Sequence, residues 1–259
     1  MYLVEDNGDL AGAGATGRTR AALGKVLTVP GTAHPARFDR TSRLEVQLAA
    51  IDMALVSSSP ENLSLGANLA LVGDELLQFA SAVPLGQGRW QLRGLLRGRA
   101  GTESGIATHA VGEPFVLLDR QMTSLSADSR ISRIAASGLG DPVPVVSNVR
   151  LSGLSLRPPS PVHPAVTTMA DGTTRLGWTR RSRGGWRWAD GIDVPLSEEA
   201  ERYVVTAGPD DRPLARWSVD VPWLDLTPLE KDAVAEQSVR IRQQGTFALS
   251  EPLVFSVLP

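Results

Sequence analysis

Several groupings along the chain are of residue types that could do chemistry. Arg97-Gly98-Arg99 sets two guanidinium groups around a glycine, a pattern that grips phosphates or carboxylates. His109 follows a few residues later, with Glu103, Glu113 and Asp119 close in sequence. Trp186-Arg187-Trp188 closes the string RRSRGGWRW, the composition of interface hot spots and of sugar-stacking sites alike. Asp190, Asp193, Glu198 and Glu199 supply carboxylates of the kind glycosidases use in pairs. Gly12-Ala13-Gly14-Ala15-Thr16-Gly17 has the form G-x-G-x-x-G, with Asp39 about twenty residues further on.

Context removes most of the reactive readings. A nucleic-acid grip needs a basic field of several residues, and the formal net charge is −2. Nucleic acid is therefore not an expected partner, and Arg97 and Arg99 are expected to pair with local carboxylates or with a neighbouring subunit. His109, His34 and His163 have no chelating spacing, and the chain contains no cysteine, so no metal site, thiolate nucleophile or disulfide is expected. No nucleophile-elbow string is present. The carboxylates lie around turns, where they are usually solvated. No catalytic residue is assigned. The glycine fingerprint works only where a buried strand enters it and a helix leaves it. Here the turn formers Glu5-Asp6-Asn7-Gly8-Asp9 precede it, so it reads as a glycine loop and no cofactor is expected.

The elements that must position these residues are written as short strands. Leu69–Val72, Glu75–Ala80, Arg89–Leu96 and Phe115–Leu118 are apolar or alternating runs separated by glycine- or proline-bearing turns, which predicts an antiparallel sheet. Leu77 and Phe79, with Trp90 and Leu92, share one buried face because side chains alternate with period two. Leu44, Val46 and Leu48 alternate in the same way ahead of a loop at Ser57–Asn62. Arg120–Asp141 is polar and serine-rich and reads as an irregular or short helical excursion, after which Val143–Val149 and Leu151–Leu156 resume a strand pattern. Pro158, Pro159, Pro161 and Pro164 then mark a semi-rigid junction.

The expected fold class is all-β, an antiparallel β domain over residues 1–156 followed by a β-sandwich over 157–259. In the second domain the expected strands are Val162–Met169, Arg175–Arg180 with Trp178 inward, Glu201–Ala207, Leu214–Val219, Ser238–Gln243 and Pro252–Val257. The spacings suit a two-sheet sandwich that resembles fibronectin type III domains. The tyrosine corner of many such sandwiches is missing before Ser238. Every tryptophan but Trp90 falls in this half. No apolar run approaches the roughly 20 residues that cross a bilayer, and MYLVEDNGDL has neither the basic region nor the apolar core of a signal peptide. The chain is read as soluble.

One string carries more than composition. Leu95-Leu96-Arg97-Gly98-Arg99-Ala100-Gly101-Thr102-Glu103 is preceded by Asp74-Glu75-Leu76-Leu77-Gln78-Phe79. It is followed by His109 and by Gly112-Glu113-Pro114-Phe115-Val116-Leu117-Leu118-Asp119. In order and spacing this resembles the C-terminal region of tail-tip proteins of gene transfer agents and related siphophages, departing from it at Ala100, where a second basic residue is expected. The resemblance implies a structural component of a virion tail tip, made in the producing bacterial cytoplasm. It implies a homotrimer in contact with other tail or baseplate proteins and a tail fibre, and with a host envelope glycan or receptor. Arg97, Arg99, Trp186, Arg187 and Trp188 are the candidate contact residues. A carbohydrate-binding module is the alternative, and a cell-wall hydrolase fragment the more distant one.

Overall fold

The computed structural model describes residues 1–13, 17, 20–119, 122, 132–149, 153–184 and 195–255. It is all-β, and the α-helices among these residues are the short α1 (Pro60–Ser64) and α2 (Pro228–Ala233). The chain divides into two compact units, Met1–Ser152 and Gly153–Pro259.

In the first unit β1 (Tyr2–Val4) and β2 (Leu10–Gly12) form a hairpin around the Glu5–Asp9 turn. β3 (Leu23–Thr28), β4 (Phe38–Leu48), β5 (Leu69–Val72), β6 (Glu75–Gly86), β7 (Arg89–Leu96) and β8 (Pro114–Leu117) follow. They close in the order β3-β4-β7-β6-β5-β8, every neighbour antiparallel, with β8 pairing back onto β3 through Gly24 and Phe115. Closure leaves the barrel no unpaired edge among these strands. Alternation decides what fills it. Val26, Leu44, Val46, Val72, Leu77, Phe79, Leu92, Leu95 and Phe115 are each fully buried in one cluster, with Trp90 packed against it.

Two expectations for residues 1–156 give way. The excursion after Asp119 contains β9 (Arg133–Ala136), which pairs with β1 on one side and with β10 (Val145–Asn148) on the other. Leu154–Leu156 is a single 3-10 turn rather than a strand, since the amides of Leu156 and Arg157 bond the carbonyls of Gly153 and Leu154. The G-x-G-x-x-G motif lies partly outside the described residues. Its first glycine ends β2 within an antiparallel sheet, the reverse of the parallel setting a dinucleotide site requires.

The second unit packs two antiparallel sheets. One is β11 (Val162–Thr168), β12 (Thr174–Thr179) and β15 (Trp223–Leu226); the other runs β14 (Ala215–Val219), β13 (Tyr203–Ala207), β16 (Val239–Gln243), β17 (Leu253–Phe255). Leu176, Trp178, Leu224 and Leu226 from the first meet Tyr203, Val205, Ala207, Ile241 and Phe255 from the second in one core. Trp178 meets Tyr203 edge to face at 5.1 Å, joining the two sheets. Every strand expected here is present within a few residues, and β15 was not foreseen. Pro158, Pro159 and Pro161 are buried within this unit, so the expected junction is part of the sandwich's own packing. Ahead of β16, Thr227 and Glu230 form a reciprocal capping box that starts α2.

Candidate functional site

The barrel end at the start of β6 and the end of β7 gathers the charged residues singled out above. The Gly73-Asp74 turn delivers Glu75 as the first residue of β6. Arg97 follows the last residue of β7 and opens a loop that runs to β8 through two 3-10 turns, Arg99–Gly101 and Glu103–Ala107. Both Glu75 and Arg97 have wholly buried side chains. Arg97 Nε donates to Glu75 Oε1 at 2.8 Å and Nη2 to Oε2 at 2.8 Å, the two-pronged pairing that guanidinium geometry favours. Its remaining N–H groups reach the carbonyls of Gly31 (2.9 Å) and Ile106 (3.2 Å).

Two further donors complete the carboxylate. The Gly98 amide meets Glu75 Oε1 at 2.6 Å, and the chain turns there at a left-handed φ of 59° that glycine adopts without strain. A Cβ there would stand 2.9 Å from Glu103 Cα. His109 Nε2 lies 2.6 Å from Glu75 Oε2, and its Nδ1 lies 2.8 Å from Glu113 Oε2. Thr102 stitches the same loop to β6: its Oγ1 accepts from the Leu76 amide at 2.9 Å and donates to the Arg99 carbonyl at 2.8 Å.

The charge states follow from the donors. Burial by itself would raise the Glu75 carboxyl, but the bonds from His109, Arg97 and Gly98 outweigh it and hold the group below the ordinary 4.5. The bond to Glu75 raises His109 above the ordinary 6.5, burial opposes, and Glu113 adds to the rise. An ionised carboxylate only accepts hydrogen bonds. The bond to Glu75 and the contact with Glu113 thus favour the form of His109 that carries a proton on each ring nitrogen.

That arrangement is a clamp. A general base needs a free lone pair in reach of a substrate, and both His109 nitrogens face carboxylates. Glu75, His109 and Glu113 are metal-ligand types, yet the Arg97 guanidinium occupies the carboxylate where a cation would sit. No cluster of His, Asp and Glu among the described residues has the arrangement of a metal site.

The contact residues expected from the sequence separate accordingly. Arg97 has its guanidinium wholly inside the barrel end, paired with Glu75 and bonded to the carbonyls of Gly31 and Ile106. Arg99 is half-buried in the first 3-10 turn, and burial lowers its pKa. Ala100 is exposed with φ 54°. Trp186, Arg187 and Trp188, with Asp190 and Asp193, lie outside the described residues. Glu198 is anchored by Arg183 and the Thr246 amide. His109 is bonded on both ring nitrogens, to Glu75 and to Glu113. Its partners were visible as DEL and GEP strings flanking the arginine motif, but nothing local links residues 34 apart in sequence.

Comparison with known proteins points to the same part of the chain. Residues 21–116 match the Rcc01698-like, C-terminal family. The Rcc01698-like match opens just before β3 and ends inside β8, so it takes in the barrel with its clamp and none of the sandwich. No curated protein matches the chain. Among solved structures, domains d3–d4 of the rat CD45 extracellular region are similar, with 8% identity, 53% of this chain and 70% of that chain covered, and a TM-score of 0.27. No helix among the described residues is long and apolar enough to cross a membrane.

Proposed function

We propose that this chain is a non-enzymatic structural component of a phage or gene-transfer-agent tail tip, with the barrel as the part built into the baseplate. The second unit would be a fibronectin type III-like contact module. One observation carries this reading. The residues of the tail-tip-like string, Glu75, Arg97, Gly98, Thr102, His109 and Glu113, converge in a single hydrogen-bonded clamp, so the motif is a signature of this barrel rather than a chance run. The family match over the barrel supports it. So does the absence of a free nucleophile or base at the clamp, since a site locked by its own ion pairs acts by holding shape. The partners are other tail proteins and a fibre, in a trimeric assembly, with host-surface contact as the outcome.

Deleting residues 65–119 in a producing bacterium removes four of the six barrel strands. The expected result is particles that lack this chain by mass spectrometry and fail to attach to cells. Particles that assemble and attach normally contradict the proposal, as does steady turnover of cell-wall polymer by the isolated chain.

A further inference from the structure

The sheet β10-β9-β1-β2 is separate from the barrel, and β10 (Val145–Asn148) is one of its outer strands. It pairs with β9 along its whole length, Val146 opposite Ala135 and Asn148 opposite Arg133. The Val149 amide bonds the Ser132 carbonyl at 2.8 Å, which fixes the phase of the ladder. Bonded and non-bonded pairs alternate in an antiparallel ladder, so Val145 and Ser147 bond β9 while the N–H and C=O groups of Val146 and Asn148 point away from it. Among the described residues no strand pairs with that outer side, and the Asn148 carbonyl has only a 3.5 Å contact from Ser147 Oγ. Val145 and Val146 are 69% and 51% exposed.

Such an edge is a template for another strand, and proteins usually blunt it with charge, a bulge or proline. From Val143 to Val149 there is no charged residue, and the register with β9 runs without a bulge. Proline does set a limit. Pro144 shares the outward phase of Val146 but has no N–H to give, so a longer foreign strand finds no donor on that side. The strand that matches an edge of two donor residues is β10 itself. Run antiparallel against a second copy, Val146 meets the copy's Asn148 and Asn148 meets its Val146, which uses both donors and both acceptors on each side in four N–H···O bonds. The same register sets Val145 against the copy's Val149 and Ser147 against its Ser147, so valines meet and no like charges do.

We infer that β10 pairs with β10 of a second copy of this chain across a two-fold axis at Ser147, joining two four-stranded sheets into one. An isologous contact closes at two copies, so it is distinct from any trimeric contact, and residues 145–148 lie outside the 21–116 family match. A pairing of so few residues is far smaller than a standard interface, so it is weak, with Kd about 0.3 mM.

The test is sedimentation equilibrium of the full chain up to about 1 mM, with amide hydrogen exchange followed at low and high concentration. The expected result is a monomer–dimer equilibrium in which exchange at Val146 and Asn148 slows as concentration rises, while Val145 and Ser147, already bonded to β9, hold steady. Ser147→Asp and Ser147→Lys each put like charges face to face on the axis, and each is expected to weaken self-association about tenfold with an unchanged melting curve. Mixing the two variants sets opposite charges there and is expected to restore the dimer as a mixed pair. A monomer at the highest concentration overturns the inference, as does a dimer that survives both single variants or that the mixture fails to restore. Trimers formed without dimers overturn it too, and so does an unrelated extended peptide held at Val146 with no self-association. None of these outcomes bears on the barrel deletion, so the two readings fail separately.

Discussion

Glu75→Gln is expected to cost the first unit about 3–5 kcal/mol in denaturant unfolding, because it removes one partner of a buried ion pair and leaves the other uncompensated. The glutamine keeps the volume but presents an amide where Arg97, Gly98 and His109 all need an acceptor. A neutral side chain cannot balance a guanidinium whose side chain is wholly buried. Arg97→Met is expected to cost a similar amount from the other side. The double variant Glu75→Leu with Arg97→Met tests the cause. With both charges gone and apolar groups in their place, much of the loss returns. A loss under about 1 kcal/mol for Glu75→Gln, the range of an exposed ion pair, would show that the clamp is not buried as described.

The second large effect belongs to the sandwich. Trp178→Ala is expected to lose about 3–5 kcal/mol, the range for emptying a buried aromatic site. Trp178 is 6% exposed and bridges the two sheets through Tyr203. Trp178→Phe keeps an aromatic edge against Tyr203 and loses less. The readout is hydrogen exchange at β12 and β13, the strands that carry the pair. Equal protection in wild type and Trp178→Ala would mean that the sheets are held together elsewhere.

Periodicity made the walls of both units legible. Leu44, Val46 and Leu48 fill the barrel as their alternation requires, and Leu77, Phe79 and Leu92 join them. Trp178 turned inward for the same reason. The closure of the barrel was not legible, since β3 and β8 are far apart in sequence and nothing in either run names its partner. β1, β2 and β9 are too short to show a period, and β9 pairs on one side with β1 from the start of the chain. β15 lies between Pro222 and Pro228, and those prolines hid a Trp-Leu-Asp-Leu alternation. The proline segment read as a linker because proline lacks a donor, a rule that is silent on whether its ring packs, and Pro158 packs beneath Gly245. At the clamp the residue types were visible and their pairing was not. Glu103, Glu113 and Asp119 were the carboxylates near Arg97 in sequence, but the partner is Glu75, on the neighbouring strand.

The central claim is that the residues most suggestive of chemistry are locked in an internal ion-pair network. The pH response of His109 tests it most directly. A group whose pKa rises on folding adds stability that is complete below its ordinary 6.5 and lost as pH rises through the folded value. Glu75, depressed on folding, adds stability that is complete above its ordinary 4.5 and lost as pH falls through the folded value. These two groups together place the barrel's greatest stability between about 4.5 and 6.5. Nitrogen NMR of the His109 ring, assigned with His109→Gln, is predicted to show both nitrogens protonated at pH 6.5, with loss of a proton only above it and in step with falling stability. A ring that is neutral at pH 6.5, with one nitrogen free to accept a proton, would contradict the account.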